Sequence, residues 1–195
     1  MRYSTVDRAV LARRLVHSLL AVAPVYYLIP IDLPLSPLKR WHLLIAFFVA
    51  VALFESVRLW RGVTFFGLRP HERNSIASFA WAAAGITLAL WLMPWEIATP
   101  VLIGMGLVDP LVGVLRCAKR ARWLQVLLPL VVYFAICVIS LASLTTLPLP
   151  ELVLISVIGA ALAVAAERQR VPYVDDDFLM IIVPGIVMSL LWLAL

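Results

Sequence analysis

The stretch VPYVDDDFLMIIVPG, residues 171–185, sets three consecutive aspartates, Asp175, Asp176 and Asp177, directly against an apolar run. Uncompensated carboxylates are costly to desolvate, so these three belong in water, against a cation, or both. The run they border decides the fold. From residue 178 to 195 the chain stays apolar, long enough to cross about 30 Å of hydrocarbon as a helix.

Working outward, six more apolar stretches of spanning length fall at about 15–33, 41–60, 76–95, 97–115, 123–147 and 150–166. The composition agrees: 64% of the residues are hydrophobic and 14% charged, with a mean hydropathy of +1.04, whereas charged residues make up about a quarter of a soluble domain. The expected fold is therefore all-α, a polytopic membrane bundle of about seven helices forming one transmembrane domain over residues 1–195. The start imitates a signal peptide, with Arg13-Arg14 and then Ala21-Val22-Ala23. The apolar run before that site is short and contains His17, and Pro24 follows it, so the segment reads as a true span. Cys117 and Cys137 are the two cysteines; a helix from near 123 sets Cys137 roughly 20 Å from the loop, which predicts neither a disulfide nor a zinc site.

Fourteen of the sixteen Lys and Arg residues fall on one side of this arrangement, leaving Lys39 and Arg40 on the other. The positive-inside rule then puts the N-terminus in the cytoplasm. Carboxylates contribute little to orientation, yet Glu55, Glu72, Asp109, Glu167 and Asp175 to Asp177 also gather at the cytoplasmic ends, while Asp32, Glu96 and Glu151 lie outside. No loop is long enough to fold alone, so any active site must lie between helix ends.

Five groups of residues converge on that face. In GMGLVDPLVG, 104–113, Asp109 sits beside Pro110, which leaves either a proline kink with a satisfied aspartate or a break lining a wet cavity. In FESVRLWRG, Glu55 and Arg58 are three apart and read most simply as an ion pair within one helix. LRPHERN carries Arg69, Glu72 and Arg73; RRLVHSL carries Arg13, Arg14 and His17, an interfacial histidine or a phosphate donor; AAERQRVPYVDDDF carries Glu167 and the aspartates, of which helix capping explains one. Carboxylate oxygens suit Mg²⁺, commonly bound through one or two carboxylates plus substrate phosphates, and arginines with Lys119 suit the phosphates themselves. Neither a G-x-x-x-x-G-K-[ST] loop nor a soluble-kinase signature is present.

In order along the chain, RRLVH, LRPHE, VDPLVG and ERQRVPYVDDDF resemble the motifs of the CTP-dependent polyprenol kinase family, which includes dolichol kinases, phytol kinases and CTP-using diacylglycerol kinases. The sequence differs from that pattern at Val108, at Asp177 and in the segment CAKRARWLQVLLP after the fourth span. The resemblance implies Mg²⁺-dependent transfer of the γ-phosphoryl of CTP to a lipid alcohol at the cytoplasmic face; the expected surroundings are the bilayer, in the inner membrane of a prokaryote, with no nucleic acid as partner. Catalysis would fall to Asp109, Asp176 and Glu167, and metal binding to Asp109, Glu167, Asp175 and Asp176. Nucleotide binding would fall to Arg13, Arg14, His17, Arg69 and Glu72, to which the basic charge at the same face adds Arg58 and Lys119 as expected ligands. Base and metal ligand are not separable among these carboxylates. The alternatives are a phospholipid cytidylyltransferase, which releases pyrophosphate rather than CDP, and a small transporter or structural relative with Asp109 as coupling site.

Overall fold

The computed structural model describes residues 14–34, 37–65, 67–169 and 171–195, and among these the regular elements are helices, with extended backbone paired only at one bridge between Asp32 and Lys39. The helices are α1 (Arg14–Leu28), α2 (Arg40–Arg61), α3 (Ser78–Leu92), α4 (Trp95–Cys117), α5 (Leu124–Leu144), α6 (Leu149–Arg168) and α7 (Asp176–Ala194). Five of them, α2 and α4 to α7, are long and apolar enough to cross a membrane, and the chain is a helical integral membrane protein.

The two remaining helices are shorter than the expected spans 15–33 and 76–95, and prolines account for both. After residue 22, α1 tightens into a 3-10 helix over Ala23–Leu28 with Pro24 in its first turn, and the backbone is extended at Ile29, next to Pro30. Met93 is likewise extended, at ψ 149°, because the residue before a proline is pushed out of the helical region. The resulting 15-residue α3 rises about 22 Å at 1.5 Å per residue, less than the full hydrocarbon thickness.

The central element is α4, whose apolar window is 61% buried against 17% for the peripheral α2. It packs on α5 and α7, while α7 also packs on α3 and α6, and α2 lies on α3. The apolar pattern of α5 shows how one face is chosen. Pro129, Tyr133, Cys137 and Leu141 recur every fourth residue, form a single stripe and are all buried, while Leu127, Val131 and Ile139 face outward. Both cysteines are free thiols, as their spacing predicts.

One face of α4 positions the site. Gly106 lies so close to α1 that a Cβ there would stand 2.5 Å from the backbone nitrogen of Ala21, and the Gly113 carbonyl accepts a hydrogen bond from Arg14 Nη2 at 2.8 Å. These glycines are seven residues apart, two helical turns, so they share a face with Asp109 and Pro110 between them. The helix continues through Pro110 to Cys117, so the break that the sequence left open does not occur.

Candidate functional site

At the end of the bundle where α4 and α6 finish and α7 begins, the helix termini bring carboxylates together. Asp175 is the N-cap of α7, its side chain accepting from the Asp177 backbone N–H at 3.2 Å, so the helix starts two residues before the apolar run itself. Capping therefore occupies one aspartate, and Asp176 and Asp177 enter the first turn. Asp109 of α4, Glu167 of α6 and Asp176 each offer an oxygen within 4.8 Å of the other two, and Asp175, Asp176 and Asp177 do the same. Two oxygens about 2.1 Å from a shared Mg²⁺ stand about 3 to 4 Å apart, so the first group matches a hard-cation site in donor type and spacing.

Guanidinium groups surround these acids. A cavity of about 180 Å³ is lined by Arg14, His17, Arg69, Asp109, Arg116 and Asp176 together with Pro110 and Gly113. A larger one of about 820 Å³ shares Arg69, Arg116 and Asp176 with it and adds Glu167, Arg168 and Asp175. Arg116 pairs with Glu167 at 2.8 Å, and Arg69 Nη1 stands 3.5 Å from Asp175 and 4.0 Å from Asp176. Burial pushes the Asp175 carboxyl up to about 7, helped by a hydrogen bond with Asp176 and by its charge, against the pull of the Asp177 N–H and Arg69. Acidic oxygens beside free volume, walled by arginines, can hold a cation and the phosphates bound to it.

Of the residues expected at the site, Arg14, His17, Arg69, Asp109, Glu167, Asp175 and Asp176 are brought together. Arg13 lies outside the described residues. Arg58 and Glu72, read as nucleotide ligands, are not at these cavities. Arg58 is fully engaged, with Glu55 at 2.6 and 2.7 Å, the Glu72 carbonyl at 3.1 Å and the Ser75 carbonyl at 2.7 Å. Glu72 accepts from the Arg69 backbone N–H at 2.7 Å and from the Ser78 N–H and hydroxyl at 3.2 and 2.9 Å. These contacts fasten the short 3-10 helix Pro70–Asn74 to α2 and α3 and hold the Arg69 backbone. The intrahelical Glu55–Arg58 pair is the simple reading of FESVR, and the structure contains it. Lys119 is exposed in the left-handed region at φ 50° after α4 and lines neither cavity, because the turn carries it away from the helix end.

The structure adds Arg116 and Asp177. Arg116 is seven residues from Asp109, a same-face spacing visible in the sequence, but its neighbours Lys119, Arg120 and Arg122 make it read as an orientation charge. Asp177 is 1% exposed and bonded to His17 Nε2 at 2.8 Å, a pairing across 160 positions that no local pattern signals. Comparison of the chain with family models, with curated proteins and with solved structures finds no match.

Proposed function

We propose that the protein is a membrane-embedded kinase that transfers the γ-phosphoryl group of CTP to a lipid alcohol, a polyprenol, phytol-like isoprenoid or diacylglycerol, at the cytoplasmic face. The observation that carries this reading is the convergence of Asp109, Glu167 and Asp176 within 4.8 Å of one another in a cleft walled by Arg14, Arg69 and Arg116. The choice of CTP follows from the order of motifs along the sequence, and the cytoplasmic side from the distribution of basic residues.

In this reading Asp109, Glu167, Asp175 and Asp176 would hold Mg²⁺, which neutralises charge on the transferring phosphate. Arg14, Arg69 and Arg116 bind the phosphate oxygens, with Arg168 at the wall of the larger cavity. The lipid hydroxyl oxygen forms a bond to the γ-phosphorus as the bond to the bridging β–γ oxygen breaks. CDP leaves, and the hydroxyl proton passes to a carboxylate, most simply Asp109. A route for the apolar part of the substrate adjoins this site. A hollow of about 470 Å³ links Asp175 and Val174 to Ile76 and Trp81, and those last two residues also line an apolar groove of about 260 Å³ between α2 and α3.

The test is an incubation of the purified full chain with γ-labelled CTP, Mg²⁺ and a panel of isoprenoid alcohols and diacylglycerol. Label in a phosphorylated lipid with release of CDP is expected. Release of pyrophosphate with a CMP-linked lipid would replace the kinase by a cytidylyltransferase, and no turnover with any of them would overturn the reading.

A further inference from the structure

A second group of ligand atoms meets at Asp109. His17 of α1, Asp109 of α4 and Asp177 of α7 each offer one atom within 4.8 Å of the other two, and neither Glu167 nor Asp176 belongs to this group. His17 and Asp177 are 5% and 1% exposed. A buried histidine–aspartate ion pair accounts for the 2.8 Å contact from His17 Nε2 to Asp177 Oδ2. It does not account for Asp177 Oδ1, which is buried with no hydrogen-bond partner among the described residues, nor for the third ligand brought up from α4. A buried acceptor left without a donor is destabilising unless something else meets it. The separation also suits coordination: two neighbouring ligands about 2.1 Å from one ion, at right angles, stand about 3 Å apart.

We propose that His17, Asp109 and Asp177 form a binding site for a divalent transition-metal ion, separate from the all-oxygen group of Glu167 and Asp176 and joined to it through Asp109. The donor set decides the class of ion. Imidazole nitrogen with two carboxylates favours Zn²⁺, Co²⁺ or Fe²⁺, whereas Mg²⁺ takes oxygen ligands and retains much of its water. The ion meets Asp177 Oδ1 and compensates two carboxylates that come from different helices. Because α1, α4 and α7 each supply one ligand, the site also fixes α1 against the bundle at the height of the phosphate-binding arginines. This inference stands on its own observations and does not need the kinase reading.

The experiment titrates the purified full chain in detergent with Co²⁺, following the visible absorption bands of the bound ion, and then competes it with Zn²⁺ and with Mg²⁺. One tightly bound Co²⁺ per chain is expected, displaced by stoichiometric Zn²⁺ and not by a hundredfold excess of Mg²⁺. His17→Asn and Asp177→Asn should each weaken Co²⁺ binding at least tenfold, while Glu167→Gln leaves it unchanged. If the two variants do not fold, pulsed electron paramagnetic resonance of Mn²⁺ on the unaltered chain supplies the readout, as a nitrogen coupling that persists when His42 and His71 are replaced. Displacement of Co²⁺ by Mg²⁺ at equal concentration, undiminished binding by His17→Asn, or the absence of any nitrogen-coupled Mn²⁺ at saturation overturns the site. Intact Co²⁺ binding in a protein with no phosphoryl transfer supports it and overturns the kinase reading alone.

Discussion

Two buried ionic clusters lie at the same end of this bundle, and they differ in what their charges face. Between α2 and the Pro70–Asn74 turn, Arg58 donates to both oxygens of Glu55 and to two backbone carbonyls, and Glu72 accepts from two backbone N–H groups and a hydroxyl. That cluster is closed upon itself. Among α1, α4, α6 and α7, by contrast, Asp109, Glu167 and Asp176 crowd together beside cavities of about 180 and 820 Å³, and Asp177 Oδ1 has no hydrogen-bond partner among the described residues. Intramembrane charge of either kind invites a functional reading. The difference teaches that closure, more than burial, separates a structural ion pair from a ligand site, since a group already meeting its full set of partners has nothing left for a substrate.

The largest effect that tests this contrast lies in the open cluster. In the proposed kinase Asp109→Asn and Asp176→Asn would each remove a charge facing the substrate phosphate or its metal, and turnover should fall by about 10³-fold or more, within the range typical of lost acid–base groups. Because these variants relieve repulsion between neighbouring carboxylates, the thermal midpoint should hold or rise. Near-normal lipid phosphorylation by both variants would place the two aspartates with the structural charges and erase the contrast.

The closed cluster should respond in the opposite way. Glu55→Ala or Arg58→Ala leaves the other charge buried and alone, a loss of about 3–5 kcal/mol for a desolvated pair. Replacing both together, as Glu55→Gln with Arg58→Met, should recover much of that stability. Denaturation of the detergent-solubilised protein measures the three variants side by side. A nucleotide KM that rises in the double variant while its stability is intact would show that Arg58 touches substrate.

The sequence made the bundle legible because membrane solvation is written in long apolar runs, and five of the seven expected spans are present at spanning length. Where it misled, the cause is local backbone chemistry: Pro24 and Pro30 curtail α1, and Pro94 ends α3. The site was legible to the extent that acids near helix ends have no topological reason to be there, which singled out Asp109, Glu167, Asp175 and Asp176. Arg58 and Glu72 looked alike in type and position, and only their three-dimensional partners distinguish them from Arg69 and Arg116. Asp177 stood in plain view in the triplet, yet its burial against His17 depends on how α1 crosses α4 at Gly106, a close approach set by tertiary packing.

The smallest effect comes from Asp175, which joins the two clusters by capping α7 and pairing with Arg69, whose backbone Glu72 fixes. Its carboxyl is raised from 3.8 to about 7, first by burial and then by Asp176. A carboxyl raised in the fold keeps a proton that the unfolded chain releases from about pH 4 upward. Its contribution to stability is therefore complete below that pH, declines as pH climbs toward 7, and is flat beyond. In chelator the thermal midpoint of the full chain should drift downward between pH 5 and 7. Asp175→Asn, which retains a capping side chain but no titrating proton, should remove part of that drift. Saturating Mg²⁺ should remove it too, because a bound cation favours the ionised acid. Parallel pH profiles for Asp175→Asn and the unaltered protein, with and without Mg²⁺, would show that this carboxylate faces water and belongs to neither cluster.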